Sequence, residues 1–268
     1  MSRQRGAPEA FGVHDLSFSI CTHACACRRT RSLPRYIDRV DHVLPQSFFA
    51  RECLEVALDL VGKLLRHGPV TLRTTEVEAY RFPGDTANHS RFGKTARNAP
   101  MWGPAGHAYV YLCYGIHQML NLVTDGEGRA AAVLIRACEP VDGLSFVRAR
   151  RGEREGPVLL TGPGKVGSAL EVDTRFSGAA LFAGDGLTVL DARPAAALLV
   201  GPRVGVDYAE RAHRDAPWRI ALADSPWVSQ RATLRPLTRE RGAFLKAERL
   251  PDEASPASPA LKRRKTRS

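Results

Sequence analysis

The chain has 268 residues, 44% of them hydrophobic, and nowhere holds the run of about 18 apolar residues that a membrane span needs. This points to a globular protein of one large or two small domains, and no charged start followed by an apolar stretch and a cleavage site marks a secretory leader. The net charge of +11 is uneven: residues 261–268 hold five lysines and arginines and no acid, residues 1–44 carry +3, and +3 remains for residues 45–260, so charge alone does not establish a nucleic-acid partner.

Residues 1–44 mix Arg, Ser, Cys and Pro without periodicity and are expected to be a disordered extension. Cys21, Cys25 and Cys27 cluster there with His23, but no second ligand pair follows at zinc spacing, and no metal or other cofactor is expected. Cys53, Cys113 and Cys138 are expected as buried thiols of a reducing compartment. The folded part should begin near Pro45, with a helix over residues 47–61, where Val56, Ala57, Leu60 and Val61 recur at helical spacing and Gly62 ends the run. A strand begins in residues 63–66. Val70–Tyr80 is a second strand rich in β-branched residues, and strand alternation puts Glu76, Glu78 and Tyr80 on one face. Two carboxylates and an aromatic on one face are hard to explain as core.

A polar loop, residues 81–106, carries His89 and Asn98. His107–Tyr114 is a strand, Gly115 breaks it, and Ile116–Thr124 resumes with Asn121 inside, which predicts a hairpin with Tyr114 at its tip. The apolar run 130–137 is interrupted only by Arg136, whose buried charge needs a carboxylate or a phosphate; Glu76 and Glu139 are the candidate acids. Asp142-Gly143 can cap a helix reaching Arg151, a second helix spans 166–170, and strands are expected at 186–190, 203–206 and 218–223. From Leu250 the chain is rich in Pro, Ser and Ala and then basic, a disordered tail. No linker interrupts residues 45–249, which are expected to form one domain.

Several common chemistries drop out. Gly93-Lys94-Thr95 ends like a phosphate-binding loop, but Asn88 stands where its first glycine belongs. Gly164-Lys165 is followed by Val166 where Ser or Thr is required. No His-Glu-x-x-His or Gly-x-Ser-x-Gly run is present. What remains is the Glu76/Glu78 pair with Tyr80, His89, Tyr109, Tyr111 and Tyr114. Aromatics beside a carboxylate suit a flat ligand such as a nucleobase, although a tyrosine-rich sheet face with solvated glutamates fits the same residues.

A longer pattern narrows the choice. Glu76-Val77-Glu78-Ala79-Tyr80, Ala87-Asn88-His89-Ser90, Thr95-Ala96-Arg97-Asn98 and Tyr109-Val110-Tyr111-Leu112-Cys113-Tyr114-Gly115 follow one another in order. Asn121, the block 133–140, Gly162-Pro163-Gly164-Lys165, Arg203-Val204-Gly205-Val206 and Ser225-Pro226-Trp227-Val228-Ser229 continue the series. Together these blocks, over about residues 45–232, resemble the alkyladenine (3-methyladenine) DNA glycosylase family. Trp102 is a departure, standing where that family often has phenylalanine.

The resemblance implies an α+β fold: a single mixed domain with a curved antiparallel β-sheet, surrounding helices and a protruding DNA-inserting β-hairpin. It implies a monofunctional glycosylase that flips alkylated or deaminated purines (3-methyladenine, 7-methylguanine, hypoxanthine, ethenoadenine) out of double-stranded DNA and leaves an abasic site. In that scheme Glu78 is the general base on a water, and Arg136 with the Val204 carbonyl holds the water and nearby DNA. Tyr80, His89 and Tyr111 enclose the flipped base, Asn121 disfavours guanine, and Tyr114 fills the gap left in the duplex. A monomer without membrane association is expected, in the cytoplasm and associated with chromosomal DNA. A lesion-binding protein of the same fold without useful turnover is the rival reading. A tyrosine-rich RNA-binding module is a third, and it would be indifferent to Glu78→Gln.

Overall fold

The computed structural model describes residues 42–248, so most of the N-terminal extension, with its Cys21–Cys27 cluster, and the basic tail lie outside the described residues. Val43 and Leu44, placed in the extension by the sequence, already belong to the fold: Val43 bridges Leu190, and Leu44 N–H donates to Val189 O at 2.9 Å. The single helix expected over 47–61 is two, α1 (Gln46–Phe49) and α2 (Cys53–Leu60). The break comes from Glu52, whose carboxylate accepts the free N–H groups of Leu54 and Glu55 and so starts a new helix. Arg51 ties the two pieces together, with Nε on Phe48 O at 2.8 Å and Nη1 on Asp59 at 2.7 Å.

The remaining elements are β1 (Leu64–His67), β2 (Val70–Tyr80), β3 (Ala108–Cys113), β4 (His117–Thr124), β5 (Ala131–Asp142), α3 (Leu144–Arg151), α4 (Pro163–Leu170), β6 (Thr188–Leu190), β7 (Leu198–Gly201), α5 (Arg211–Arg214), β8 (Arg219–Leu222), β9 (Arg235–Pro236) and α6 (Arg241–Ala247). Among the described residues the strands form one nine-stranded antiparallel sheet in the order β3-β4-β5-β2-β8-β7-β9, with β1 pairing β2 and β6. The architecture is α+β. One edge of β2 runs along β5; the other pairs β1 over Val70–Arg73 and β8 over Glu76–Glu78. Leu54, Leu60, Leu72, Leu120, Leu122 and Ile135 are fully buried in the core, each contributing roughly 1.5–3 kcal/mol of transfer free energy. No helix among the described residues is long and apolar enough to cross a membrane.

The β2–β5 ladder is out of step at two places near its middle. Partners run Thr74↔Cys138, Glu76↔Ala137 and Val77↔Ile135, so Thr75 is an extra residue in β2 and Arg136 an extra residue in β5. Each bulge switches which alternate residues face the core. Val70 and Leu72 face it before the bulge, and Val77 and Ala79 after it. Were Thr75 an ordinary rung rather than a bulge, unbroken alternation from Leu72 would drive Glu76 and Glu78 into the apolar core. With the bulge, Glu76, Glu78 and Tyr80 share the opposite face, as the sequence predicted for this trio.

Other expectations need correction. Residues 203–206 are not a strand; the strand is Leu198–Gly201, which sequence reading passed over. Arg203 and Val204 leave the sheet because their polar groups are committed to side chains, and Gly205 then turns the chain at φ +76°. The cap of α3 is Gly143 with no side-chain hydrogen bond; a Cβ there would lie 2.2 Å from Pro69 O, so only glycine fits. Cys53 and Cys138 are buried as expected, whereas Cys113 is half-buried.

Candidate active site

The bulged Arg136 is aimed at the two glutamates. Its own C=O, out of the ladder, accepts Gly162 N–H at the start of α4 (3.0 Å), so the irregularity leaves no orphan there. Its guanidinium lies 3.2 Å from Glu76 Oε1 through Nε and 3.3 Å from Glu78 Oε1 through Nη1. Of the two acids proposed as its partner, Glu76 is one; Glu139 instead pairs with Arg73 at 3.0 Å.

The two buried carboxylates differ in how completely they are satisfied. An ionised carboxylate offers about four lone-pair positions. Glu76 accepts Arg219 Nη1 (2.9 Å) and Ser229 Oγ (2.9 Å) on Oε1, beside Arg136, and Ser229 N–H (2.6 Å) on Oε2. Burial pushes its carboxyl upward, against the pull of Arg136, Ser229 and Arg219. Glu78 accepts Val204 N–H (2.8 Å) and Arg136 on Oε1 and Tyr80 O–H (3.0 Å) on Oε2. One acceptor position on Oε2 is therefore left over, and Glu78 lines a cavity where Glu76 does not.

Val204 is held in place by its neighbour. Arg203 grips Asp85 with both Nη atoms, at 2.5 and 2.9 Å, and donates also to Ala79 O and His213 O. Its guanidinium lies 4.7 Å from the Tyr80 ring and 4.9 Å from that of Trp218. Asp85, Arg203 and Arg219 went unremarked as individual side chains in the sequence; a buried charge pair separated by more than a hundred residues leaves no local pattern.

The cavity has a volume of about 440 Å³, within the range of small-molecule sites. Glu78, Tyr80, His89, Tyr111, Tyr114, Asn121, Arg136 and Val204 all line it, so the structure brings every predicted site residue to one place. His89 stands edge-on to Tyr111 (ring centroids 4.6 Å apart), and its Nδ1 lies 3.2 Å from Tyr109 Oη. Burial, with Arg97 and Arg91 nearby, pulls the imidazole down to about 4, so it is neutral at physiological pH. Burial likewise raises the phenols of Tyr80, Tyr109 and Tyr111. The Asn121 amide donates to Tyr109 O and Met119 O, both at 3.1 Å, which fixes its orientation. Trp102 packs edge-on against Phe82 beneath the aromatic cluster.

Beside the cavity stands the β3–β4 hairpin. Tyr114 and Gly115 both adopt positive φ (+51° and +72°), and Ile116 N–H closes the turn on Cys113 O. Tyr114 is 91% exposed, flanked by exposed Leu112 and Ile116. A tyrosine in the left-handed region is uncommon and costs free energy, a reason to look for a function at the tip. From Thr86 to Thr124 the chain has no acidic residue, while Arg91, Lys94 and Arg97 lie in the loop beside the cavity.

Comparison of the sequence with known proteins places it in one family. The profile described as methylpurine-DNA glycosylase matches residues 47–226. A protein of Nitrosococcus oceani provisionally named a 3-methyladenine DNA glycosylase is 59% identical over 194 residues, 72% of this chain and 96% of its own. An Arabidopsis thaliana protein named DNA-3-methyladenine glycosylase is 53% identical over 198 residues, 73% of this chain and 78% of its own. The chain belongs to the methylpurine-DNA glycosylase family, enzymes of base-excision repair that hydrolyse the N-glycosyl bond in DNA.

Proposed function

We propose that the protein extrudes alkylated or deaminated purines, among them 3-methyladenine, 7-methylguanine, hypoxanthine and ethenoadenine, from duplex DNA and releases the base, leaving an abasic site. The observation that carries this reading is the spare acceptor position of Glu78 at the wall of an aromatic cavity. A water there gives its proton to Glu78 as its oxygen bonds to C1′; the C1′–N bond breaks and its electron pair leaves with the base. 3-Methyladenine and 7-methylguanine are cationic in DNA and depart neutral, so no strong acid is needed for them, while the neutral hypoxanthine and ethenoadenine take up a proton from water as they leave. The carboxylate also stabilises the oxocarbenium-like charge that develops on the sugar.

Tyr80, His89 and Tyr111 enclose the base, and a cationic purine on the tyrosine faces gains about 0.5–2 kcal/mol. The Asn121 amide is fixed by Tyr109 O and Met119 O, and it disfavours guanine at the pocket wall. Arg136 and the Val204 carbonyl hold the water and nearby DNA. Tyr114 occupies the gap left by the extruded nucleotide and offsets part of the few kcal/mol that extrusion costs. The protein works as a monomer, in the cytoplasm on chromosomal DNA, and forms no covalent link to the sugar. The test is base release from duplexes carrying one hypoxanthine or ethenoadenine, and from methylated genomic DNA, scored by strand scission after alkali. Wild type releases base, and Glu78→Gln loses orders of magnitude. Tight lesion binding by folded wild type without release of any base would replace this reading with a damage-binding one.

A further inference from the structure

Behind Glu78 lies a buried set of charges of which the reaction as written uses only Arg136. Arg136 is shared between Glu76 and Glu78 at 3.2 and 3.3 Å, both long for charge-assisted hydrogen bonds, which normally close to about 2.7–2.9 Å. Its Nε also donates to Ser229 Oγ at 3.1 Å, and Ser229 returns both N–H and Oγ to Glu76. Arg219, fully buried on β8, donates to Glu76 and anchors its other N–H groups on Pro202 O, Ser229 O and Thr233 Oγ1. Two carboxylates and two guanidiniums make the set neutral as a whole. Glu76 is the one acid that draws Arg136 back from Glu78.

We propose that Glu76 is a positioning residue: with Ser229 and Arg219 it restrains Arg136 so that the guanidinium does not close on Glu78, which keeps an open lone pair and the basicity to take a proton from water. The proposal rests on Glu78 being the base. The charged and titratable groups around Glu78 are Arg136 from β5, Glu76 and Tyr80 from β2, Tyr111 from β3, and Arg203 and Tyr208 from the segment after β7. Glu76 is the member of this set whose charge can be removed while leaving every hydrogen bond of Glu78 in place. With Glu76 neutral the cluster carries one net positive charge, Arg136 has a single carboxylate left, and Glu78 holds its proton less well.

The experiment is single-turnover base release against pH for wild type, Glu76→Gln and Ser229→Ala, with folding checked by thermal unfolding and near-UV circular dichroism. For Glu76→Gln the acid limb of the profile moves down by about one pH unit and the rate at pH 7.5 falls about ten-fold or more, while lesion-duplex Kd stays within about two-fold of wild type. Ser229→Ala keeps both charges and the backbone N–H to Glu76, and moves the limb the same way by less. A folded Glu76→Gln with an unmoved limb overturns the proposal, whether or not its rate falls. If Glu76→Gln does not fold, an unmoved limb in Ser229→Ala overturns it. Loss of the Glu78 reading is seen separately, as Glu78→Gln releasing base at the wild-type rate.

Discussion

The Asp85–Arg203 pair joins stability to the site most directly, and Asp85→Asn tests it. Both side chains are fully buried, and Asp85 also accepts Ala87 N–H at 2.9 Å and Arg81 N–H at 3.2 Å. The substitution keeps the shape and one acceptor but takes from the Arg203 guanidinium its counter-charge and one of its two carboxylate oxygens, beside Ala79 O and His213 O. Breaking a buried pair from one side costs about 3–5 kcal/mol; the retained amide oxygen argues for the lower end, about 3 kcal/mol. Against a total of roughly 5–15 kcal/mol the protein still folds, with Tm lower by about 6–12 °C for a domain of this size. Urea unfolding followed by tryptophan fluorescence reads this well, since Trp218 lies against Arg203. Base release per folded molecule should fall about ten-fold besides, because Val204 loses its anchor and with it the N–H on Glu78. Adding Arg203→Met should recover part of the stability, since no unpaired charge is then buried, without recovering the rate. A stability loss under about 1 kcal/mol with an unchanged rate would refute the reasoning.

Tyr114→Gly should leave the unfolding free energy in urea unchanged or raise it, since glycine tolerates the φ of +51°, while base release from duplex lesions drops about ten-fold; a loss of more than about 1 kcal/mol would mean the ring supports the fold. His89, pulled down to about 4, should show no imidazole titration by NMR between pH 5.5 and 8; a midpoint near 6.5 would contradict its burial. Asp125 is pushed up to about 6 by burial and by Glu52. The fold therefore binds its proton more tightly than the unfolded chain does, and stability is lost as pH rises from about 4 through 6. Asp125→Asn, which keeps an acceptor for Thr124 Oγ1, should match wild type below pH 4 and exceed it by about 1–3 kcal/mol above pH 6.5; equal urea midpoints at both pH values would exclude a buried, strained carboxylate.

The site was legible because its residues lie in short ordered blocks, and because the Tyr114-Gly115 break marks a hairpin within one local stretch. The orientation of Glu76, Glu78 and Tyr80 was right for an incomplete reason. Alternation orders residues after Thr75, but it does not predict that Leu72 and Val77 face the same core. The extended run at 203–206 looked like a strand because Arg-Val-Gly-Val alternates; what removes it from the sheet is Val204 N–H going to Glu78 and Arg203 going to Asp85, contacts between distant segments. The break between α1 and α2 turns on Glu52 serving as a cap, a role for which glutamate is a poor predictor.

The paired bulges also constrain how this gene can change in length. Thr75 and Arg136 are one extra residue each on facing strands, and they cancel within two rungs of the ladder. Deleting Thr75 alone would leave β2 and β5 a residue out of phase through the centre of the sheet, and deleting Arg136 alone would do the same while removing the guanidinium that faces Glu78. Only a double deletion would restore the pairing, and it would cost the site the Arg136 guanidinium. Insertions and deletions should therefore be absent from residues 72–80 and 133–138 in active relatives, while the exposed Gly126–Gly128 turn, which faces solvent outside the cavity, is free to vary in length.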